Sequence, residues 1–256
     1  MEGRIIDVKG KKLYIEHYNP FEGRPTIIFL HDSLGSVQLW RDFPTKLSEA
    51  AQCNTLAYDR LGYGKSHPMP THERPVNYME LEADLLNDLL VEMNIDIAIL
   101  FGHSDGGTIA LITAAKYPER VNAVVCEAGH IFVEDVTLKG VYDAWEAYKT
   151  NNLAERLQKY HGDKVEMLFR AWTETWTRDD YRTWNIEHLL KHIICPLLFI
   201  QGEADEYGTL DQVEKTVTQV SGIAEKYIIP ATGHTPHKEV PELVLERATE
   251  FISKYS

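Results

Sequence analysis

Cysteine is scarce in this chain of 256 residues: Cys53, Cys126 and Cys195 stand far apart, with no CxxC or CxxxH spacing. An odd, scattered set supports neither a disulfide framework nor a zinc site, and no metal or other cofactor is expected. No apolar stretch approaches the length of a membrane span, and Met1-Glu2-Gly3-Arg4 lacks the apolar run of a signal peptide, so a reducing cytoplasm is the simplest expected setting. Positive charge is also in short supply. Lys and Arg number 26 against 39 Asp and Glu, giving a formal net charge of −13. Such a chain repels phosphate backbones and anionic lipid surfaces, so neither nucleic acid nor a membrane is an expected partner. Repeats and low-complexity segments are absent too. What is present is ordinary globular material, 44% hydrophobic and 25% charged, enough for one large α/β domain or a domain with an insertion.

Residues 4–8 and 12–18 read as an opening hairpin around Lys9-Gly10. Short apolar runs follow at 26–30, 55–58, 97–101, 123–126, 197–200 and 227–229. Amphipathic segments separate most of them, the clearest being 79–93, with Leu81, Leu85, Leu86, Leu89, Leu90 and Met93 near helical spacing. Alternation of this kind implies right-handed crossovers and a mostly parallel sheet covered on both faces. It breaks at 132–192, where helix-like, aromatic-rich sequence carries four of the five tryptophans. The expectation is an α/β core built from 1–131 and 193–256, with 132–192 inserted as a helical cap over the site.

The run Gly102-His103-Ser104-Asp105-Gly106-Gly107 ends the apolar stretch 97–101 and opens a helix that stops before Tyr117-Pro118. Strand, Gly-x-Ser-x-Gly, helix is a nucleophile elbow. The sharp turn strains the serine, and glycines at 102 and 106 remove β-carbons that would collide with it. Ser104 is the candidate nucleophile. A serine needs a base held by a third group, and the order in this fold is nucleophile, acid, base. His234, in the loop after 227–229, is the candidate base, with His237 its local rival. Asp205, in the loop after 197–200, is the candidate acid, with Glu203 and Glu206 as neighbours. The backbone N–H groups of Asp105 and Ser33 are expected to form the oxyanion hole, with His31 in a supporting role. Glu127 and His130 fall just past the strand at 123–126, where Glu127 is an outside candidate for the acid or a shaper of the pocket floor. Trp145 is a candidate to line the pocket from the cap. His188 and His192 sit one turn apart but find no third ligand and read as a solvated face.

These pieces together resemble the α/β-hydrolase family along nearly the whole chain. The matching residues are His31-Asp32-Ser33-Leu34-Gly35, Asp59-Arg60-Leu61-Gly62-Tyr63-Gly64-Lys65-Ser66, the elbow, Gly202-Glu203-Ala204-Asp205 and Gly233-His234. The resemblance implies the α/β-hydrolase fold and a small-molecule substrate. Serine at 104 argues against the dehalogenase and epoxide-hydrolase branches, which carry aspartate there. Asp32 departs from the His-Gly of many relatives. Ser-Asp-Gly-Gly at the elbow is similar to the valacyclovir-hydrolase branch, which implies that Asp105 takes the ammonium group of an amino-acid ester; the alternative is a bond to neighbouring hydroxyls or a histidine. The expected activity is hydrolysis of a carboxylic ester through an acyl-enzyme. The rivals are a C–C bond or enol-lactone hydrolase with the same triad, and a small-molecule receptor on a hydrolase fold.

Overall fold

The computed structural model describes residues 2–256. Strands β1 (Glu2–Val8) and β2 (Lys11–Tyr18) form the opening hairpin, joined through Lys9 and Gly10 with φ of 50° and 83°. Two successive positive φ values match the strand twist in a two-residue turn. The chain continues through β3 (Thr26–Leu30), α1 (Phe43–Ala51), β4 (Asn54–Tyr58), α2 (Tyr78–Glu92), β5 (Ala98–His103), α3 (Asp105–Lys116) and β6 (Val121–Glu127). Helices α4 (Asp135–Thr150), α5 (Leu153–His161), α6 (Val165–Thr177) and α7 (Glu187–Leu190) come next. The alternation then resumes with β7 (Leu197–Gly202), α8 (Leu210–Gln219), β8 (Ala224–Ile229), α9 (Pro236–Glu239) and α10 (Pro241–Ser253).

One sheet results, in the order β1-β2-β4-β3-β5-β6-β7-β8, antiparallel from β1 to β4 and parallel from there on. This is the α/β-hydrolase fold. Every residue of β5 and β7 is buried, because helices cover both faces. Leu100 packs with Leu86, Leu89 and Ile112 on one side; Phe29 and Phe101 pack with Leu47 and Phe251 on the other. The elements fall where the sequence puts them, most with longer ends, although Ile97 lies outside β5 and Met93 outside α2. Strand β8 begins at Ala224 rather than Tyr227, since Ala224, Glu225 and Lys226 pair with β7 through main chain, which no side-chain pattern signals.

From β3 the chain runs to β4 on one side, while β5 adds on the other. Loops after β3 and β5 therefore diverge, leaving a crevice at the C-terminal edge of the sheet. Register sets what meets there: Leu30 pairs with Gly102 and His103 with Glu127, so the loop after β3 lies beside the elbow.

Helices α4 to α7 leave and rejoin the core at one place. Phe132 bridges Asn185, and the Ile186 N–H donates to the Ile131 carbonyl at 2.8 Å. Within this segment Tyr181 stacks on Trp184 with centroids 5.4 Å apart, and Trp176 packs edge-on against both.

Candidate active site

Ser104 stands between β5 and α3 at φ 54° and ψ −120°, a left-handed backbone that costs energy for a residue with a side chain. Close packing enforces it. A β-carbon on Gly102 would meet the Gly106 carbonyl oxygen at 2.2 Å, and one on Gly106 would meet that of Leu30 at 2.0 Å. The Ser104 N–H donates to the Glu127 carbonyl at 2.9 Å, which ties the elbow to β6.

The structure brings Ser104, His234 and Asp205 together from three loops. His234 Nε2 lies 2.9 Å from Ser104 Oγ, and His234 Nδ1 lies 2.9 Å from both carboxylate oxygens of Asp205. Asp205 is fixed in turn by the Gln201 amide at 2.7 Å and the Tyr207 N–H at 2.8 Å. Burial pushes the Asp205 carboxyl up, but the His234 imidazole and these donors outweigh it and hold the group below the usual carboxylate range. The rival carboxylates are elsewhere. Glu203 is exposed, and Glu206 accepts the main-chain N–H of His234 at 3.2 Å.

Ser33 and Asp105 line the same cavity as Ser104, and among the described residues neither of their N–H groups has a protein acceptor. Both are therefore free to meet an oxygen, and that of Asp105 opens helix α3, where the helix field favours negative charge. His31 sits beneath this loop: its Nδ1 donates to the Asp32 carbonyl at 2.8 Å while its Nε2 accepts the Arg60 N–H at 3.1 Å. Burial and the nearby Arg60 charge push the His31 imidazole well below its usual range, which suits a neutral ring that both donates and accepts.

The Asp105 side chain is engaged on the protein side. Its Oδ2 accepts from the Arg60 guanidinium at 3.4 Å and from the Tyr78 hydroxyl at 3.2 Å, with Arg60 and Asp105 each 1% exposed. Arg60 also donates to the Asp32 carbonyl at 2.9 Å, so one side chain links the loop after β3 to the elbow. Trp176 joins the network through its indole N–H, which reaches the Tyr78 hydroxyl at 3.2 Å.

Two expected lining residues are elsewhere. Glu127 is fully buried and takes the main-chain N–H of His237 at 2.6 Å and its Nδ1–H at 2.7 Å, so it neither lines the cavity nor acts on His234. The same pairing removes His237 from the site. Trp145, one turn beyond Val141 on α4, packs half-buried against the core with Lys149 over its ring and does not line the cavity, which α4 reaches through Thr137 and Val141. Trp172 and Trp176, which the sequence offers only within a group of cap aromatics that could line a pocket, do line the cavity from α6, while the contacts of Arg60 and Tyr78 with Asp105 have no signal in the sequence. Their i, i+4 spacing was the available signal for the tryptophans; Arg60 was visible only as a motif residue.

His103, Glu127 and His237 bring ligating atoms within 4.8 Å of one another. Hydrogen bonds already occupy both oxygens of Glu127, Nδ1 of His237 and Nε2 of His103. His188 and His192 are both exposed. Among the described residues no helix is long and apolar enough to cross a membrane, and the three cysteines are buried and unpaired.

A sequence profile of the α/β hydrolase fold matches residues 25–170, and the chain belongs to that family of hydrolases. Among curated relatives, the human serine hydrolase BPHL is 28% identical over 261 residues, covering 96% of this chain and 85% of that protein. Solved structures share the fold at lower identity. A bacterial membrane phospholipase A superposes with a TM-score of 0.81 at 19% identity, over 99% of this chain and 86% of the other. The enol-lactonase of Burkholderia xenovorans LB400 gives 0.78 at 17%, over 98% and 100%.

Proposed function

We propose that this protein is a serine hydrolase that cleaves a small carboxylic ester through an acyl-enzyme. The observation that carries this reading is the chain of contacts from Asp205 through His234 to Ser104, each at 2.9 Å, opening on a cavity of about 220 Å³. Ser104 Oγ attacks the ester carbonyl carbon as its proton passes to His234 Nε2. Asp205 accepts the Nδ1–H and stabilises the imidazolium that forms. The N–H groups of Ser33 and Asp105 receive the oxyanion. His234 returns the proton to the departing alcohol, and a water activated by the same ring releases the acid. In this reading residues 132–192 act as the cap: Thr137 and Val141 from α4, with Trp172 and Trp176 from α6, roof the cavity.

Charge narrows the substrate. Asp32, Asp105 and Glu206 line the cavity, and no Lys or Arg does among the described residues. A carboxylate-bearing substrate, of the kind a C–C bond or enol-lactone hydrolase takes, finds no Lys or Arg there to bind it. Neutral or positively charged esters fit better. The Asp105 charge is met by Arg60, so the ammonium-binding role implied for it by resemblance is not part of this reading.

The test is turnover of p-nitrophenyl esters together with labelling by a fluorophosphonate. Ser104→Ala is expected to lose turnover by a factor on the order of 10⁶ and to take no label. A residual rate within about tenfold of the wild type overturns the assignment.

A further inference from the structure

We propose that His103 is a positioning residue that works as an imidazolium, holding the main chain of the base His234 while answering the charges of Asp32 and Glu127. The proposal rests on His234 being the base. His103 occupies the variable position before Ser104 and is 2% exposed. Its Nε2 lies 2.8 Å from the carbonyl oxygen of His234, and a carbonyl only accepts, so Nε2 carries a proton. Its Nδ1 is buried without a hydrogen-bond partner and lies 3.8 Å from Asp32 Oδ1. In a neutral ring this nitrogen would turn a lone pair toward a carboxylate. A second proton converts that repulsion into an ion pair.

Glu127 makes the same demand from the other side. A fully buried carboxylate is costly without a counter-charge, and no Lys or Arg lies within ion-pair distance of it among the described residues. His237 bonds it through Nδ1–H, which a neutral ring supplies. Burial pushes His237 down from the ordinary histidine range, whereas Asp32 and Glu127 overcome the burial of His103 and raise it. The groups facing His103 are Asp32 from the loop after β3, Glu127 at the end of β6, His234 from the loop after β8, and His237 and Lys238 from α9; Lys238 alone among the permanent charges opposes the proton. Asp32 thus has a purpose where many relatives carry glycine.

One consequence follows for the base: the charged donor grips the His234 carbonyl more firmly than a neutral one would.

The direct test is a ¹⁵N spectrum of the histidine rings at pH 7, with His103 assigned by its loss in His103→Gln. Protons on both ring nitrogens are expected; a neutral ring overturns the proposal. Kinetics supply the second test. His103→Gln keeps an N–H toward the His234 carbonyl but carries no charge. Its kcat should fall less than that of His103→Leu, which is expected to lose about tenfold or more because the donor is gone. Equal kcat losses in the two variants overturn the positioning role. Fluorophosphonate labelling of wild-type Ser104 reports on the hydrolase reading separately, since a failure there leaves the ring-protonation result standing.

Discussion

Arg60 is the residue on which the two halves of the candidate site depend. Its guanidinium is buried, bonded to the Asp32 carbonyl at 2.9 Å and paired with Asp105 at 3.4 Å. Removing one partner of such a pair strands the other charge in a poorly solvated place, at a cost of about 3–5 kcal/mol. Arg60→Ala is therefore expected to lower the unfolding free energy in urea by about 3 kcal/mol or more, and Arg60→Ala with Asp105→Ala to recover part of that loss. A single-variant loss under about 1 kcal/mol would show that the pair is not held as described. This link was not legible in the sequence. Arg60 and Asp105 are brought together by the crossover from β4 through α2 to β5, and no local pattern encodes it. Ser104, Asp205 and His234 were legible because each follows a short apolar strand within a few residues, and parallel sheets gather such loops on one edge.

At the scale of elements, α8 holds the passage from the core into the helical segment. Gln212 is fully buried; its Oε1 accepts the Ile131 N–H at 2.8 Å, and its amide N–H groups reach the Phe132 carbonyl at 3.1 Å and Glu134 at 2.8 Å. Gln212→Ala leaves these groups unpaired, so a loss of about 1–3 kcal/mol is expected. Amide hydrogen exchange at Ile131 should accelerate while that of Leu100, deep in β5, slows or speeds only with global stability. Equal protection at Ile131 in variant and wild type would count against this anchoring. The helical character of 132–192 was legible from the absence of strand-like runs. Which aromatic faces the cavity was not: Trp145 and Trp176 both sit on amphipathic helices, yet Trp176 lines the cavity while Trp145 packs half-buried against the core.

For the molecule as a whole, buried histidines set the response to pH. Burial pushes His31, His130, His161 and His237 below the ordinary value of 6.5. The unfolded chain then binds more protons than the folded one between those lowered values and 6.5, so stability is fully present above that pH and is lost as pH falls through the window. His103 has the opposite sign, its contribution being present below 6.5 and lost as pH rises through its raised value. Four against one, the melting temperature is expected to fall between pH 7.5 and pH 5.5, and a flat profile across that span would contradict the burial of neutral rings.

The junction at Ile131 and Ile186 has a consequence for engineering. Because the N–H of one meets the carbonyl of the other at 2.8 Å, the intervening helices depart from the core and return to the same point. Such an excursion adds no displacement between β6 and β7, whose pairing of Val124 with Leu197 is set by the sheet itself. Replacing it with a different closed helical segment of the same end-to-end span should leave the register of the sheet unchanged. Under the proposed function, substrate preference travels with the transplanted roof, while the proposed triad of Ser104, Asp205 and His234 stays behind.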